Sequence, residues 1–278
     1  MSKIGFMQGR LSPLVDGRIQ AFPWGHWESE FRIGAQIGFE SIEWAIDADR
    51  LHDNPLMTSH GRARINILTQ QYGLAVASLT GNCFMQAPLW KASGRERLRG
   101  ETDLIAVAEA CPHVGASLMV IPLVDNGHLE DRHQEDALVA TLERHTKIFS
   151  DLGLRVALES DYPPNDLHRL LGRLDETVFG VNYDIGNSAS LGRSPEEEFA
   201  YYGARIINVH VKDRLLGGGN VPLGEGSADF DNAFAGLDAI GYQGNHILET
   251  ARSSIGDHAG ALTRYREMTM AWISQHRT

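Results

Sequence analysis

The sequence has few of the features that mark secreted or membrane proteins. Cysteine is scarce, with Cys83 and Cys111 as its two examples, so the count fits a reducing compartment and gives no disulfide framework. No apolar run approaches the roughly 18 residues of a membrane-spanning helix. The first ten residues show no apolar signal-peptide segment. We therefore expect a cytoplasmic protein without a membrane partner.

Positive charge is also in short supply. The 278 residues include 25 Lys and Arg against 36 Asp and Glu, for a net charge of −11. Binding to a nucleic-acid backbone depends on basic side chains that neutralise phosphates, so this balance argues against a nucleic-acid partner. It does not argue against a small phosphorylated molecule, because a few local cations are enough to bind one.

Linkers, low-complexity tracts and short repeats are absent as well, and we expect residues 1–278 to form a single domain. Strand-like apolar runs alternate with helix-like amphipathic segments from end to end, which predicts parallel strands joined by helical crossovers. The length suits a (β/α)8 TIM barrel, typically about 250 residues. A doubly wound open sheet is the alternative, but Gly5, Gly9 and Gly17 do not form the glycine-rich phosphate turn typical of that fold.

The alternation gives eight strands and eight helices. The predicted strands are residues 4–7, 41–44, 75–79, 117–121, 155–158, 178–183, 206–209 and 245–248. The predicted helices are residues 28–37, 62–72, 95–114, 134–152, 164–174, 195–202, 229–240 and 257–275. Glycine follows several helices, as a left-handed C-cap requires, at Gly38, Gly73, Gly115, Gly153 and Gly241.

Four acidic or imidazole side chains follow the last four predicted strands, namely Glu159, Asp184, His210 and Glu249. Residues two apart in a strand share a face, so if these faces point into a barrel, the four side chains meet at its mouth. Three carboxylates and one imidazole suit one divalent metal ion, Mn²⁺, Mg²⁺, Co²⁺ or Zn²⁺, without selecting among them. The alternative is that each acid caps a helix or forms an ion pair. Their placement at successive strand ends favours the metal site.

Two glutamates in one metal site indicate proton transfer. A carboxylate that binds a metal through one oxygen keeps a second oxygen, so Glu159 and Glu249 on opposite sides of a substrate could remove and return a proton. The metal would polarise a carbonyl and an adjacent hydroxyl and so stabilise an enediolate. This is the chemistry of an aldose–ketose isomerase or a 3-epimerase.

Several motifs in the second half of the chain resemble the xylose-isomerase-like TIM-barrel superfamily. They are YDIGNS (183–188), VHVKD (209–213), VPLGEG (221–226) with ADF (228–230), and ILET (247–250). The likeness is greatest to its L-ribulose-5-phosphate (L-xylulose-5-phosphate) 3-epimerase branch. The resemblance implies a metal-dependent sugar or sugar-phosphate isomerase or epimerase, with a ketose or ketose-phosphate 3-epimerase as the first expectation. By the same resemblance, the four strand-end residues match the metal ligands, and Glu159 and Glu249 match the acid/base pair.

Two departures from the family pattern bear on the substrate. Members that act on free ketoses carry a histidine three residues after the metal aspartate, where this chain has Asn187, in agreement with the phosphosugar branch. They also carry a glutamate soon after the first metal glutamate, where segment 160–165 has Asp161. These differences weigh against a free ketohexose and less against a sugar phosphate. We assign Asn187 to the substrate site.

Three basic side chains are candidate substrate contacts. Lys212 has the inward parity of His210 and is expected to meet a substrate oxygen or phosphate, with an ion pair to Asp213 or to a loop acid as the alternative. Arg214, together with the glycine loop 217–219, is a candidate contact for a phosphate, and a flexible solvated loop is the plainer alternative. Arg252 is a candidate contact for an anionic group, and an ion pair is an equal alternative.

Glu43 ends the second predicted strand with inward parity. We expect it either to hydrogen-bond the substrate or to lie behind the metal ligands. The alternative is a barrel-filling acid paired with Arg10.

Other functions are compatible with the same residues. A lyase or dehydratase acting on a keto-polyol would use the same metal and begin with the same proton removal. An apurinic-site endonuclease of the superfamily would assemble three zinc ions from more histidines and acids than this chain offers. A non-catalytic sugar-binding barrel is the remaining alternative. Barrels of this family often pair through loops at the active-site end, so we expect a homo-oligomer, a dimer or a tetramer.

Overall fold

The computed structural model describes residues 3–18 and 20–276, and the predicted domain limits at residues 1 and 278 lie outside that part. Eight parallel strands close into a barrel in which each strand pairs with its neighbours along the chain and the eighth pairs with the first. The prediction of a (β/α)8 barrel is therefore confirmed. Closure of the sheet excludes the doubly wound alternative.

The barrel strands, in chain order, are Lys3–Met7, Ser41–Ala45, Ala75–Thr80, Leu118–Leu123, Arg155–Ser160, Phe179–Asp184, Ile206–Val211 and Asn245–Leu248. The α-helices are Trp27–Ile37, Ser59–Tyr72, Asn82–Gln86, Gly94–Ala110, Arg132–Asp151, Pro164–Leu171, Ile185–Ser190, Pro195–Tyr202, Phe230–Ala239 and His258–His276. The helices Asn82–Gln86 and Ile185–Ser190 were not predicted, because one or two turns are too short to show helical periodicity. Within the described residues, we find no helix with the length and apolar character required to cross a membrane.

Apolar side chains fill the layer between the sheet and the helices. Phe149, from the helix Arg132–Asp151, is fully buried against Phe179 of the sixth strand, with 6.0 Å between the ring centroids. Burial of a side chain of this size contributes about 1.5–3 kcal/mol. The five glycines predicted to end helices all have a positive φ, between 62° and 91°. These features fix the helices on the sheet without using the interior of the barrel.

The upper part of the barrel interior is polar. Its buried side chains include Glu43, Ser78, Thr80, Asn182, Asn208 and His210. They form one hydrogen-bonded network, since Asn208 Nδ2 donates both to Glu43 Oε2 at 3.0 Å and to Asn182 Oδ1 at 2.9 Å. Buried polar groups are tolerated when they are hydrogen-bonded to one another. The interior therefore forms a rigid polar base beneath the mouth of the barrel.

The strands run further toward the mouth than predicted. Asp184 is the last residue of the sixth strand, and Glu159 and His210 lie inside the fifth and seventh strands. A register shift between Val181 and Asn182 brings Asp184 directly opposite His210. Such bulges re-aim side chains next to functional sites. Three of the four candidate ligands are therefore held by sheet pairing and not by mobile loops.

Two of the family-like motifs have structural roles. A Cβ on Gly186 would lie 2.8 Å from the side chain and 2.9 Å from the carbonyl carbon of Lys212, so only glycine lets the short helix approach the seventh strand this closely. The Asp213 carboxylate accepts the backbone N–H groups of Gly224 and Gly226 at 2.9 Å each. Asp213 therefore folds the following loop back over the mouth, and it is not the partner of Lys212.

His246 of the eighth strand should make the stability of the fold depend on pH. Its ring points outward, as strand parity predicts, and stacks on Phe234 at 5.5 Å between centroids. Burial lowers the pKa of His246 from 6.5 to about 4. As the pH falls below 6.5, the unfolded chain takes up this proton first. The contribution of neutral His246 to the free energy of unfolding is therefore fully present above pH 6.5 and is lost as the pH falls toward 4. The loss is about 1.4 kcal/mol for each pH unit and roughly 3 kcal/mol in all.

The measurement is the melting temperature at pH 7.5, 5.5 and 4.5, for the native chain and for His246→Phe, which keeps a ring against Phe234. We expect the variant to lose less stability on acidification. Parallel pH profiles for the two proteins would show that His246 does not contribute.

Candidate metal centre

The structure brings Glu159, Asp184, His210 and Glu249 together at the top of the barrel interior. One potential ligand atom from each lies within 4.8 Å of those of the other three, and all four residues are buried. His210 Nδ1 is the common centre, at 2.9 Å from Glu249 Oε2, 3.5 Å from Glu159 Oε2 and 3.9 Å from Asp184 Oδ2. The four side chains therefore converge in the structure, as predicted. Their roles as ligands stay a prediction.

Each carboxylate directs one oxygen toward His210 and has the other held by a different protein group. Glu159 Oε1 accepts a hydrogen bond from Asn187 Nδ2 at 2.6 Å, and Asp184 Oδ1 accepts one from the Asn187 backbone N–H at 2.9 Å. Glu249 Oε1 accepts one from Arg10 Nη2 at 3.3 Å. The oxygens that face His210, here called the inner oxygens, are thus placed to bind a cation. The other oxygen of each carboxylate, the outer oxygen, is held in a fixed direction by its hydrogen bond.

Glu43 lies beneath His210 and fixes its ring. Its Oε1 is 2.7 Å from His210 Nε2, and both carboxylate oxygens also accept hydroxyl hydrogen bonds, from Ser78 and Thr80 at 2.6 Å each. Glu43 is fully buried, which favours the expectation of a position behind the candidate ligands, and its contact with a substrate stays a prediction. A carboxylate on the far nitrogen of a metal-binding histidine fixes its tautomer and raises its basicity. Arg10 pairs with Glu249 and not with Glu43.

Lys212 is the cation nearest the cluster. Its Nζ lies 2.6 Å from Asp184 Oδ2 and 3.5 Å from Glu249 Oε1. Burial alone would lower the pKa of Lys212, but the charges of Asp184 and Glu249 outweigh it and raise that pKa above its ordinary value. Lys212 therefore stays charged, and the alternative pairing with Asp213 is wrong.

The two glutamates differ in their affinity for protons. Burial, together with the charge of Asp184, raises the pKa of Glu159 to about 8. Burial also acts to raise the pKa of Glu249, but Lys212, His210 and Arg10 outweigh it and hold that pKa well below its ordinary range. The cluster is therefore asymmetric, with the strongest excess of negative charge beside Glu159.

The donor set fits a divalent cation. Three carboxylates and an imidazole nitrogen are hard and borderline ligands of the kind that bind Mn²⁺, Mg²⁺, Co²⁺ and Zn²⁺. Within the cavity, three carboxylates face one lysine and one imidazole, so a bound cation would add to the positive charge available to them. Within residues 3–18 and 20–276, no other group of three or more His, Cys, Asp or Glu side chains brings its potential ligand atoms this close together.

A cavity of about 550 Å³ opens above the cluster, and three of the predicted substrate contacts, Asn187, Lys212 and Arg214, line it. Arg214 Nη1 donates to Asn187 Oδ1 at 2.9 Å. Arg252 lies toward the first strand, where its Nη1 donates to the carbonyl oxygen of Ser12. That bond ties the loop after the eighth strand to the loop after the first, and a substrate contact for Arg252 stays a prediction.

Some residues of the site were not predicted. Asn182 Nδ2 lies 3.0 Å from both Glu159 Oε2 and His210 Nδ1, and Asn208 joins it to Glu43. Both asparagines stand two positions before a candidate ligand, so strand parity was the available signal. Asp161 also lines the cavity, and its carboxylate is held by His128 Nδ1 at 2.7 Å.

Comparison with known proteins agrees with the barrel fold. A family model for xylose isomerase-like TIM barrels matches residues 31–273. The chain is 26% identical to L-ribulose-5-phosphate 3-epimerase UlaE from Shigella boydii serotype 18, covering 92% of this chain and 93% of the relative. It is 25% identical, with the same coverage, to L-ribulose-5-phosphate 3-epimerase UlaE from Escherichia coli.

Solved structures share the fold. The chain matches D-allulose 3-epimerase from Methylomonas sp. with a TM-score of 0.77 at 17% identity, covering 98% of both chains. It matches an IOLI protein with a binding zinc atom with a TM-score of 0.76 at 18% identity, covering 99% of both chains.

Divalent metal should stabilise the folded chain through the four-residue cluster. A cation that binds only the folded state stabilises it by about 2.7 kcal/mol at a concentration 100-fold above Kd. We therefore expect Mn²⁺ to raise the melting temperature of the native chain and Asp184→Asn to lose most of that rise. Asp161→Asn is the matched control, because it removes a carboxylate from the same cavity but outside the cluster. An equal loss in both variants would mean that general acidity, and not the cluster, attracts the ion.

Glu43→Gln should weaken metal binding without removing any ligand. Loss of a carboxylate that orients a ligating histidine typically costs about 10–100-fold in metal affinity. Isothermal titration with Mn²⁺ measures this, and Ser78→Ala is the control that removes one neighbour of Glu43 but keeps its charge against His210. If Glu43→Gln bound Mn²⁺ as tightly as the native chain, the orienting role of Glu43 would be refuted.

Proposed function

The chain belongs to the xylose isomerase-like TIM barrel family, and from this premise we propose that it is a metal-dependent sugar or sugar-phosphate epimerase or isomerase, with a ketose-phosphate 3-epimerase as the first candidate. One observation carries the proposal: Glu159 and Glu249 lie on the fifth and eighth strand ends, and each has an outer carboxylate oxygen directed away from His210. Two such oxygens on either side of one cavity suit removal and return of a proton. The names of the relatives support the same reaction class.

The proposed proton transfer uses the difference between the two glutamates. Glu249, held ionised by Lys212 and Arg10, accepts a proton from the carbon next to the substrate carbonyl. Glu159, whose partners Asn182 and Asn187 are neutral amides, delivers a proton to the opposite face. For the reverse reaction the two residues exchange roles. A placed acid or base of this kind contributes about 10²–10⁴-fold to the rate.

Glu159, Asp184, His210 and Glu249 would hold the divalent ion, which supplies Lewis-acid polarisation of the substrate carbonyl when it is bound. Lys212 is fixed by Asp184 and faces the same cavity, so it can donate a hydrogen bond to a substrate oxygen that gains negative charge. Asn182 and Glu43 keep His210 in one orientation throughout.

A phosphorylated substrate is favoured by the loop after the seventh strand. Arg214, Gly217 and Gly219 line the cavity on that side, where they offer a guanidinium and glycine backbone to an anion. Backbone N–H groups of glycine-rich loops commonly bind phosphate. The same cavity also has Asp125 and Asp161, which suit the hydroxyl groups of a sugar.

Hydrogen exchange at the substrate carbon tests the proposal. Incubation with L-ribulose 5-phosphate or L-xylulose 5-phosphate, Mn²⁺ and deuterated water should place deuterium at C3, as observed by NMR. Glu159→Gln and Glu249→Gln should each lower the rate about 10²–10⁴-fold, because each removes one of the two proton carriers. The metal content of each variant is measured in parallel, so that loss of the ion is distinguished from loss of the proton carrier.

Glu225→Gln, at an exposed glutamate outside the cavity, serves as the control and should retain the native rate. No deuterium incorporation from any ketose or ketose phosphate by the metal-loaded native chain would refute the proposal. A new ultraviolet-absorbing enone product would instead indicate a dehydratase that uses the same first step.

A further inference from the structure

The side chain of Asn187 connects Glu159, one of the two proposed proton carriers, to the cavity-lining cation Arg214. Its Nδ2 donates to Glu159 Oε1 at 2.6 Å, and its Oδ1 accepts from Arg214 Nη1 at 2.9 Å. A guanidinium can only donate hydrogen bonds, so Oδ1 must face Arg214 and Nδ2 must face Glu159. The amide therefore has one orientation, in which it joins the two residues.

The connected oxygen of Glu159 is the outer one. Glu159 Oε2 faces the cluster, where it lies 3.5 Å from His210 Nδ1 and 3.0 Å from Asn182 Nδ2. Oε1 is left for proton transfer, and Asn187 donates to it. The position of Asn187 is itself fixed, because its backbone N–H binds Asp184 Oδ1 at 2.9 Å. Asn187 is therefore placed to aim the oxygen that would carry the proton.

Arg214 is held by its hydrogen bond to Asn187 and also by a backbone carbonyl group. Its Nε and Nη2 donate to the carbonyl oxygen of Gly218 at 3.1 and 2.8 Å, which ties it to the tip of its own loop. These bonds leave N–H groups of the guanidinium for a ligand in the cavity that Arg214 lines. An anion that binds there also fixes the guanidinium against Asn187.

We propose that Asn187 is a positioning residue that transmits anion binding at Arg214 to the Glu159 carboxylate, so that a charged group remote from the reacting carbon increases turnover as well as affinity. This deepens the proposed function and rests on it for the role of Glu159 in proton transfer. Binding energy from a remote part of a substrate can be used in this way to orient a reacting group. Without such a connection, the anion would add affinity alone.

A spectroscopic test does not require catalysis. Inorganic phosphate is titrated into the full-length protein while NMR follows the carboxyl carbon of Glu159, assigned by comparison with Glu159→Gln. We expect phosphate to shift that carbon in the native chain. Asn187→Ala and Arg214→Lys should still bind phosphate but lose the shift, because the first removes the amide and the second removes the fork that contacts both partners. Asn165→Ala, an exposed asparagine outside the cavity, should behave as the native chain.

Kinetics of deuterium incorporation provide the second readout. With a ketose phosphate, Asn187→Ala should lower kcat about 10–100-fold with little change in KM, as expected for a misplaced catalytic group. In the Asn187→Ala background, Arg214→Lys should lower kcat no further, because the connection is already broken. With the matching unphosphorylated ketose, Arg214→Lys should lower kcat less than it does with the ketose phosphate, because no anion then acts through the guanidinium.

Three outcomes would overturn the inference. They are an unaltered Glu159 shift in Asn187→Ala, independent and multiplicative effects of the two substitutions on kcat, and no response of the native carboxyl to phosphate. If the native chain instead incorporated no deuterium but its Glu159 carbon followed phosphate through Asn187, the connection would stand and the proposed function would fail.

Discussion

The concentration of negative charge inside the barrel is the constraint on which the site depends. Three carboxylates surround one imidazole nitrogen, with Lys212 as the internal cation that contacts two of them. Burial, together with the charge of Asp184, raises the pKa of Glu159 to about 8. The surrounding contacts, from Glu43 below to Arg10 at the side, keep these groups in place despite their repulsion.

The two glutamates differ because of their neighbours and not because of their chemistry. Arg10 and Lys212 lie beside Glu249, whereas Glu159 has amide partners, Asn182 and Asn187, that orient it without adding charge. A charged donor lowers the pKa of a carboxyl far more than a neutral one does. Two carboxyl groups with different affinities for protons are thus produced from the same residue type on two strands of one barrel.

Strand periodicity predicted the fold and the convergence of the four candidate ligands, because parallel strands of a barrel end at one face and alternate residues share a side. It did not predict that Glu43 binds His210, since parity places a side chain inside the barrel but does not say which neighbour it meets. Nor did it give the register shift at Asn182, which depends on pairing between strands distant in sequence. Short helices such as Ile185–Ser190 were missed because one turn has no measurable period.

The polar interior beneath the site indicates what the barrel is arranged to do. TIM barrels usually fill this space with bulky branched residues, and Asn182, Asn208 and Glu43 here replace them with amides and a carboxylate. Burial of such polar groups gives less stabilisation than apolar packing of the same volume, even where hydrogen bonds join them. The network instead fixes the orientation of side chains, because its hydrogen bonds hold the residues that in turn hold His210 or Glu159. A barrel that served only as a scaffold would not require it, whereas a site whose charged side chains must keep fixed positions does.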